Sequence, residues 1–141
     1  MNIDSTVRTG IVIDHITAGR GMRLYELLGL EGSDGSVAII KNVSSRKMGK
    51  KDIIKIETEQ PLNLDIIGYV DPGATVNVIR EGKLIEKKTP DCPAELRDVI
   101  RCKNPRCITS VEQELAHVFR PVVPEKGLYR CIYCERKGFM D

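Results

Sequence analysis

The 141-residue sequence contains no tryptophan, and aromatic residues make up only 4% of it. Proteins that bind single strands by base stacking need aromatic platforms, so this scarcity argues against that class. The formal net charge of +2 does not by itself indicate a nucleic-acid or membrane partner. No apolar run approaches the ~20 residues of a membrane-spanning helix. What remains is a soluble globular protein, in keeping with 41% hydrophobic and 30% charged residues.

The amino terminus lacks the basic and apolar regions of a signal peptide. Cysteine is present five times, as two close pairs and one further residue, Cys92. Free thiols beside a metal site favour a reducing compartment, so we expect a cytoplasmic protein. Cys92 has no His or Asp partner at motif spacing, and no other nucleophile–base set stands out, so the sequence does not indicate an enzyme.

The two cysteine pairs are Cys102-x4-Cys107 and Cys131-x2-Cys134. Four thiolates on two tight turns can converge on one tetrahedral ion, and this spacing predicts a closed structural zinc site. Two disulfides would require an oxidising compartment, and a redox Cys-x-x-Cys would require a βαβ context. His117 lies in the spacer, and a packing or surface role is expected for it because four cysteines already close the site.

The chain before the cysteines alternates β-branched and helical patterns. Strands are predicted at residues 7–14, 37–43, 52–57, 74–80 and 83–88, and helices at 18–28 and 63–69. This order predicts an α+β fold, a ferredoxin-like antiparallel sheet with both helices on one face. A Pro-containing linker at 89–93 then leads to a small all-β zinc-binding domain, which divides the chain into residues 1–90 and 91–141.

Capping and turn residues predict where these helices and strands begin and end. Thr17 is expected to cap the first helix and Asn63 the second. Gly29 is placed to end the first helix, and Glu81-Gly82 suits a tight hairpin.

Several polar residues each allow two interpretations, one structural and one functional. Asp14-His15, at a strand end, is either a solvated polar pair or a ligand site. The basic segment 44–51 is either a solvated loop or a phosphate cradle. Lys55 and Lys87, on predicted strands, either face outward or join His15 in a cationic pocket.

Three motifs come in a fixed order before the cysteines: Thr9-Gly-Ile-Val-Ile-Asp-His15, Met48-Gly-Lys-Lys-Asp-Ile-Ile-Lys-Ile-Glu57 and Ala74-Thr-Val-Asn77. With the cysteine module, they resemble the regulatory chain of aspartate carbamoyltransferase over nearly the whole sequence. The resemblance implies an allosteric nucleotide domain, a zinc domain that contacts the catalytic chain, and no catalysis by the chain itself. It also implies regulatory dimers that hold catalytic trimers together, with CTP and ATP competing as effectors in pyrimidine biosynthesis.

The resemblance also implies a set of nucleotide-binding residues, which are Val7, Asp14, His15, Lys51, Lys55, Asn77, Ile79 and Lys87. Asp14 and Lys55 would meet the ribose, and His15 and Lys87 the phosphates, with Lys51 adding positive charge nearby. The remaining three would line the base. Cations for a triphosphate and an acceptor for a ribose agree with the chemistry of these side chains.

The alternative class is a zinc-ribbon nucleic-acid-binding protein. Basic residues surround the cysteines, as a phosphate-binding ribbon needs, and they are Arg101, Lys103, Arg106, Arg130, Arg136 and Lys137. That class leaves the first ninety or so residues unexplained.

Overall fold

A computed structural model of the chain describes residues 8–112, 114–124, 127–134 and 137–138. The chain divides into two compact units, Met1–Asp91 and Cys92–Asp141. No described helix is long and apolar enough to cross a membrane.

The larger unit is an α+β structure built on one sheet. Its described elements are β1 (Gly10–Thr17), α1 (Gly21–Leu27), β2 (Val37–Ser45), β3 (Gly49–Glu57), α2 (Leu64–Val70), β4 (Thr75–Arg80) and β5 (Lys83–Lys88). The strand order is β2-β3-β1-β4-β5, and every neighbouring pair is antiparallel. The predicted ferredoxin-like arrangement is confirmed, with β5 as an additional edge strand.

The two central strands are buried on both faces. In β1 and β3, residues 10–14 and 52–56 are all buried. The register pairs Ile13 with Ile54 on one face and Val12 with Lys55 on the other. The helices cover the first of these faces, where the isoleucines form an apolar layer. The opposite face carries the polar residues singled out from the sequence.

The start of helix α1 is bound by Asp52, a residue for which no role was predicted from the sequence. Asp52 on β3 is fully buried, and its Oδ2 accepts hydrogen bonds from the amides of Gly19 and Gly21, both at 3.0 Å. Its Oδ1 accepts from the amide of Asn42 at 2.9 Å. A side chain at Gly21 would collide with Asp52, because a Cβ there would lie 2.9 Å from Oδ2.

The prediction that Thr17 caps α1 is therefore wrong. Thr17 is the last residue of β1, and the helix begins only at Gly21 with no side-chain cap on Arg20. Asp52, on a neighbouring strand, instead accepts from the amide of Gly21, the first residue of the helix.

Other local predictions are confirmed. Asn63 Oδ1 accepts from the amide of Asp65 at 3.0 Å and caps α2. Glu81 and Gly82 have φ angles of 51° and 76°, as a two-residue hairpin turn with two left-handed positions requires. Gly29, at φ 69°, follows the end of α1.

The smaller unit is a four-stranded antiparallel sheet with short connections. Its described elements are β6 (Leu96–Arg97), α3 (Ile108–Val111), β7 (Val118–Val123), β8 (Leu128–Cys131) and β9 (Lys137–Gly138), in the sheet order β6-β7-β8-β9. The sequence did not predict the single-turn helix α3. Phe119 and Tyr129 are almost completely buried, and the Tyr129 hydroxyl donates to the Pro93 carbonyl at 3.1 Å.

Candidate metal centre and cationic sheet face

Four cysteine sulfurs of the smaller unit converge on one point. Cys102 precedes a turn, Cys107 is the N-cap residue of α3, Cys131 ends β8, and Cys134 lies in the turn that follows. The four Sγ atoms lie within 4.8 Å of one another, and three of the four residues are buried. Cys92 is not a member of this cluster.

The cluster fits one tetrahedral zinc ion. A Zn–S bond of ~2.3 Å places the sulfurs of a tetrahedral site ~3.8 Å apart. The Sγ atoms of Cys102 and Cys134 are 3.4 Å apart, and those of Cys107 and Cys131 are 3.8 Å apart. These separations exceed a disulfide bond of ~2.05 Å, and none of the five cysteines forms a disulfide. The geometry therefore favours a metal over the two-disulfide alternative.

Burial disfavours thiolates here unless a cation compensates their charge. Desolvation raises the pKa of Cys102 to about 12 and also raises the pKa of Cys131. Without a cation these thiols remain protonated at neutral pH, so zinc must displace protons when it binds.

We expect zinc affinity to increase with pH through the neutral range, because the metal-bound sulfurs are thiolates and the buried metal-free Cys102 and Cys131 are thiols. Calorimetry in buffers of different ionisation enthalpy would measure the protons released per zinc. Binding that is independent of pH and releases no protons would contradict this expectation.

Two further side chains support the sulfur cluster. The Thr109 hydroxyl, almost completely buried on α3, donates to Cys107 Sγ at 3.1 Å. His117 Nδ1 accepts from the amide of Cys102 at 3.2 Å, and its own amide donates to Asp98 Oδ1 at 2.9 Å. His117 thus orients the backbone of a cysteine instead of contributing to the sulfur cluster. No sequence motif indicates a role for Thr109, because only the fold brings its hydroxyl against a sulfur.

Replacing Thr109 with valine should weaken zinc binding roughly tenfold, the lower end of the effect of outer-shell hydrogen bonds on metal affinity. Thr109→Ser should retain most of the affinity, because it keeps the hydroxyl donor. Competition with a chromogenic chelator would measure both variants. Equal affinities for the valine and serine variants would show that the hydroxyl does not act on the metal centre.

In the larger unit, one row of residues crosses four strands on the face opposite the helices. The strand register places Lys55, Val12, Asn77 and Lys87 side by side on β3, β1, β4 and β5. Neighbouring strands are about 4.8 Å apart, so the two lysines stand about 14 Å apart at their Cα atoms. Lys55 is 7% exposed, whereas Lys87 is exposed.

A β-bulge in β1 adds His15 to this face. The register with β3 shifts between Ile13 and Ile16, and His15 has a φ of 57°. An irregularity of this kind re-aims side chains that would otherwise alternate between faces. His15 Nδ1 lies 3.2 Å from Thr75 Oγ1, and Thr75 pairs with Asp14 in the register.

Asp14 and Lys51 form an ion pair on the same face. Lys51 Nζ lies 2.9 Å from Asp14 Oδ1, and their side chains are 13% and 11% exposed. The same Oδ1 accepts from the amide of His15 at 2.6 Å. Because both partners are largely withdrawn from water, this pair is less screened than a surface ion pair.

An apolar floor lies between these charges. Val12, Ile53 and Ile79 form one buried cluster, against which Ile40 and Val43 pack. Cations, a carboxylate and an apolar floor on one sheet face suit an anionic ligand that also has a flat, weakly polar part.

The structure brings together seven of the eight residues named from the resemblance, and they are Asp14, His15, Lys51, Lys55, Asn77, Ile79 and Lys87. Val7 lies outside the described residues. The predicted basic loop is shorter than expected, because β2 continues to Ser45 and β3 begins at Gly49. Lys50 and Lys51 are consequently strand residues.

A split βαβ unit with a cationic sheet face, followed by a unit with a four-cysteine cluster, indicates a protein with one metal centre and a surface suited to an anionic ligand. Two family models match the chain: the aspartate carbamoyltransferase regulatory chain allosteric domain over residues 1–91, and its metal binding domain over residues 94–138. The chain belongs to the family of aspartate carbamoyltransferase regulatory chains.

Curated relatives have the same description. An aspartate carbamoyltransferase regulatory chain of Clostridium botulinum (strain Hall) is 46% identical over 131 residues, covering 93% of this chain and 90% of the relative. One from Clostridium tetani is 46% identical over 132 residues, covering 93% and 92%. One from Bifidobacterium longum is 41% identical over 134 residues, covering 95% and 96%.

These matches confirm the resemblance read from the sequence. The chain is a regulatory chain, consistent with a non-catalytic subunit, and this implies a catalytic-chain partner and the pyrimidine pathway. The cysteine cluster and the metal binding domain fit one structural zinc, and nucleotide effectors fit the allosteric domain. A nucleic-acid-binding zinc ribbon is not favoured, because the family models account for both parts of the chain.

Proposed function

We propose that the chain binds CTP and ATP on the cationic sheet face and transmits their binding to a catalytic chain through its zinc-containing domain. In this proposal residues 1–90 form the nucleotide domain, and residues 91–141 form the zinc domain that contacts the catalytic chain. Cys102, Cys107, Cys131 and Cys134 hold one Zn²⁺. Two regulatory chains pair, and such dimers link catalytic trimers.

The observation that carries the nucleotide site is the row from Lys55 to Lys87. The two lysines stand at its ends, with an apolar centre at Val12 and an amide at Asn77. A triphosphate carries several negative charges and needs more than one cation, and flexible lysines supply point charges without demanding one geometry. Lys87 and His15 are assigned to the phosphates, and Lys55 to the ribose.

His15 has one ring nitrogen available for a phosphate. Its Nδ1 is engaged with the Thr75 hydroxyl, so Nε2 is the nitrogen assigned to the ligand. The bulge that gives His15 its left-handed backbone directs the ring toward the same face as the lysines.

Asp14 is assigned to the ribose. Both of its contacts described above use Oδ1, so Oδ2 is the atom proposed to accept a ribose hydroxyl. Lys51 pairs with the carboxylate and adds positive charge beside the phosphates. Ile79 and Asn77 are assigned to the base, together with Val7, which lies outside the described residues.

Reconstitution with the catalytic chain of the same organism would test this function. The complex should form aspartate carbamoyltransferase assemblies larger than the catalytic subunit, and their activity at subsaturating aspartate should respond to CTP or ATP. The chain alone should form no carbamoyl aspartate. Failure to assemble, or an assembly indifferent to every nucleoside triphosphate, would contradict the proposal.

Replacing Asp14 with alanine should weaken binding of ribonucleotides by about 1.5–3 kcal/mol, the range for a hydrogen bond to a charged group. The 2′,3′-dideoxy analogues should lose much less, because they lack the donor hydroxyls. Calorimetry on both ligands would measure the difference. Asp65→Ala, on helix α2, is a matched control that should change neither affinity. An equal loss for both ligands would remove Asp14 from the ribose.

The proposal places the chain in the cytoplasm with no nucleic-acid or membrane partner. None of the five cysteines forms a disulfide, which suits a reducing compartment. A catalytic chain that co-purifies in stoichiometric amount would support this partner assignment, whereas salt-dependent retention of nucleic acid would argue against it.

A further inference from the structure

The small sheet of the metal-binding unit carries a row of like charges. Arg120 on β7 is directly opposite Arg130 on β8, and Arg130 is directly opposite Lys137 on β9. Three consecutive strands therefore place a basic residue at the same level, which we call the basic row.

The two arginines of the basic row lie on the side of the sheet away from the unit's core. Phe119 and Cys131, which follow the opposite alternation on β7 and β8, are almost completely buried. Arg120 is exposed and Arg130 is partly exposed. Because side chains alternate between the two faces of a strand, the two arginines share the outer face.

This arrangement is unfavourable for the chain on its own. Like charges directly opposite on paired strands repel each other and destabilise the sheet. Within the part of the chain that the structure describes, no acidic side chain forms a salt bridge with Arg120 or Arg130. The Nε atom of Arg130 is buried and has no hydrogen-bond partner there. Arg97, on the neighbouring β6, is by contrast paired with Glu95 at 3.2 Å.

Apolar side chains flank the row. Val122 and Ile132 are 41% and 36% exposed, unusually open for residues of their type. With the two arginines, Pro121 and Cys131, they line a shallow depression of about 240 Å³. The surface thus combines two arginines that form no salt bridge within the described residues with exposed aliphatic carbon.

We propose that the basic row is a docking surface for an acidic segment of the catalytic chain, with Arg120 and Arg130 binding its carboxylates and with Val122 and Ile132 packing on its apolar carbons. This inference rests on the proposed function, in which the zinc-containing domain contacts the catalytic chain. Arginine binds carboxylates through two parallel hydrogen bonds, and it is enriched at protein interfaces for that reason. A nucleic-acid backbone would satisfy the arginines but would leave both aliphatic residues exposed, so the surface favours a protein.

The test uses the full-length, zinc-loaded chain with Arg120→Gln and Arg130→Gln together. Association with the catalytic subunit, measured by analytical ultracentrifugation, should weaken at least about tenfold and become less dependent on salt. Thermal stability and zinc affinity of the isolated variant should be unchanged or higher, because the substitutions relieve repulsion. Arg97→Gln is the matched control, since it removes a basic residue of the same sheet that already has an acidic partner.

Each other outcome overturns the inference. If the wild-type chain assembles and the double variant assembles equally well, the contact lies elsewhere while the proposed function stands. If the wild-type chain does not assemble at all, the proposed function itself fails. Weaker assembly with an equal loss of thermal stability would assign the arginines a structural role. Wild-type binding of a DNA or RNA oligonucleotide at physiological salt, lost in the double variant, would assign the row to nucleic acid.

Discussion

Removing the zinc ion is expected to unfold the carboxy-terminal unit from about residue 94 onward and to abolish association with the catalytic chain. The described core of this unit is small, and its four cysteines come from separate turns and strands that the ion would cross-link. Metal binding contributes about 10–16 kcal/mol in small zinc modules, more than such a core supplies alone. Treatment with a mercurial, followed by circular dichroism and gel filtration, would measure both losses.

The amino-terminal unit provides the internal control for this experiment. Its sheet has its own buried layer of isoleucines and contains none of the clustered cysteines, so it should stay folded and continue to bind nucleotide. If nucleotide binding disappears together with zinc, the two units fold as one, and the boundary proposed near residue 90 is wrong. If the zinc-free chain still joins the catalytic subunit, the interface belongs to the other domain.

Replacing Lys55 or Lys87 with alanine should weaken binding of CTP and ATP by about 1.5–3 kcal/mol each, the range for a hydrogen bond to a charged group. The losses should be measurable by calorimetry on the zinc-loaded chain. Lys55 is buried, so Lys55→Met is a second variant that removes the charge while keeping an unbranched, largely apolar side chain. Agreement between the two variants at this position would assign the loss to charge.

Lys88 is a matched control for Lys87. It is the next residue on β5 and is paired with Glu86 at 3.6 Å. Its register partner is Val76, whereas Lys87 is opposite Asn77, so the two lysines point to different faces of the sheet. Lys88→Ala should therefore leave nucleotide affinity unchanged. An equal effect of both substitutions would indicate general electrostatic attraction instead of a site on one face.

The features of the fold that could be predicted were those with local causes. The alternation of apolar and polar residues, together with the turn residues Glu81 and Gly82, predicted the positions of β4 and β5. Asn63 marked the start of α2, because its side chain caps its own helix. The cysteine spacing predicted the cluster because each pair lies within one turn.

The features that were missed have causes distant in sequence. Thr17 looked like a helix cap, but Asp52 on another strand provides the acceptor. The bulge that directs His15 toward the cationic sheet face arises from the pairing of β1 with β3, which a single strand does not reveal. Thr109 and His117 support the cysteines through contacts that exist only after the smaller unit folds.

The burial of β3 on both faces has a consequence for how this sequence can diverge. In a strand with one exposed face, every second residue is exposed and tolerates substitution. Along residues 52–56 no such position exists, because one side supports the helices and the other forms the polar face. Edge strand β5 is almost entirely exposed, so it should tolerate substitutions at most of its positions. Divergence between relatives should therefore concentrate at the margins of the sheet and spare its centre.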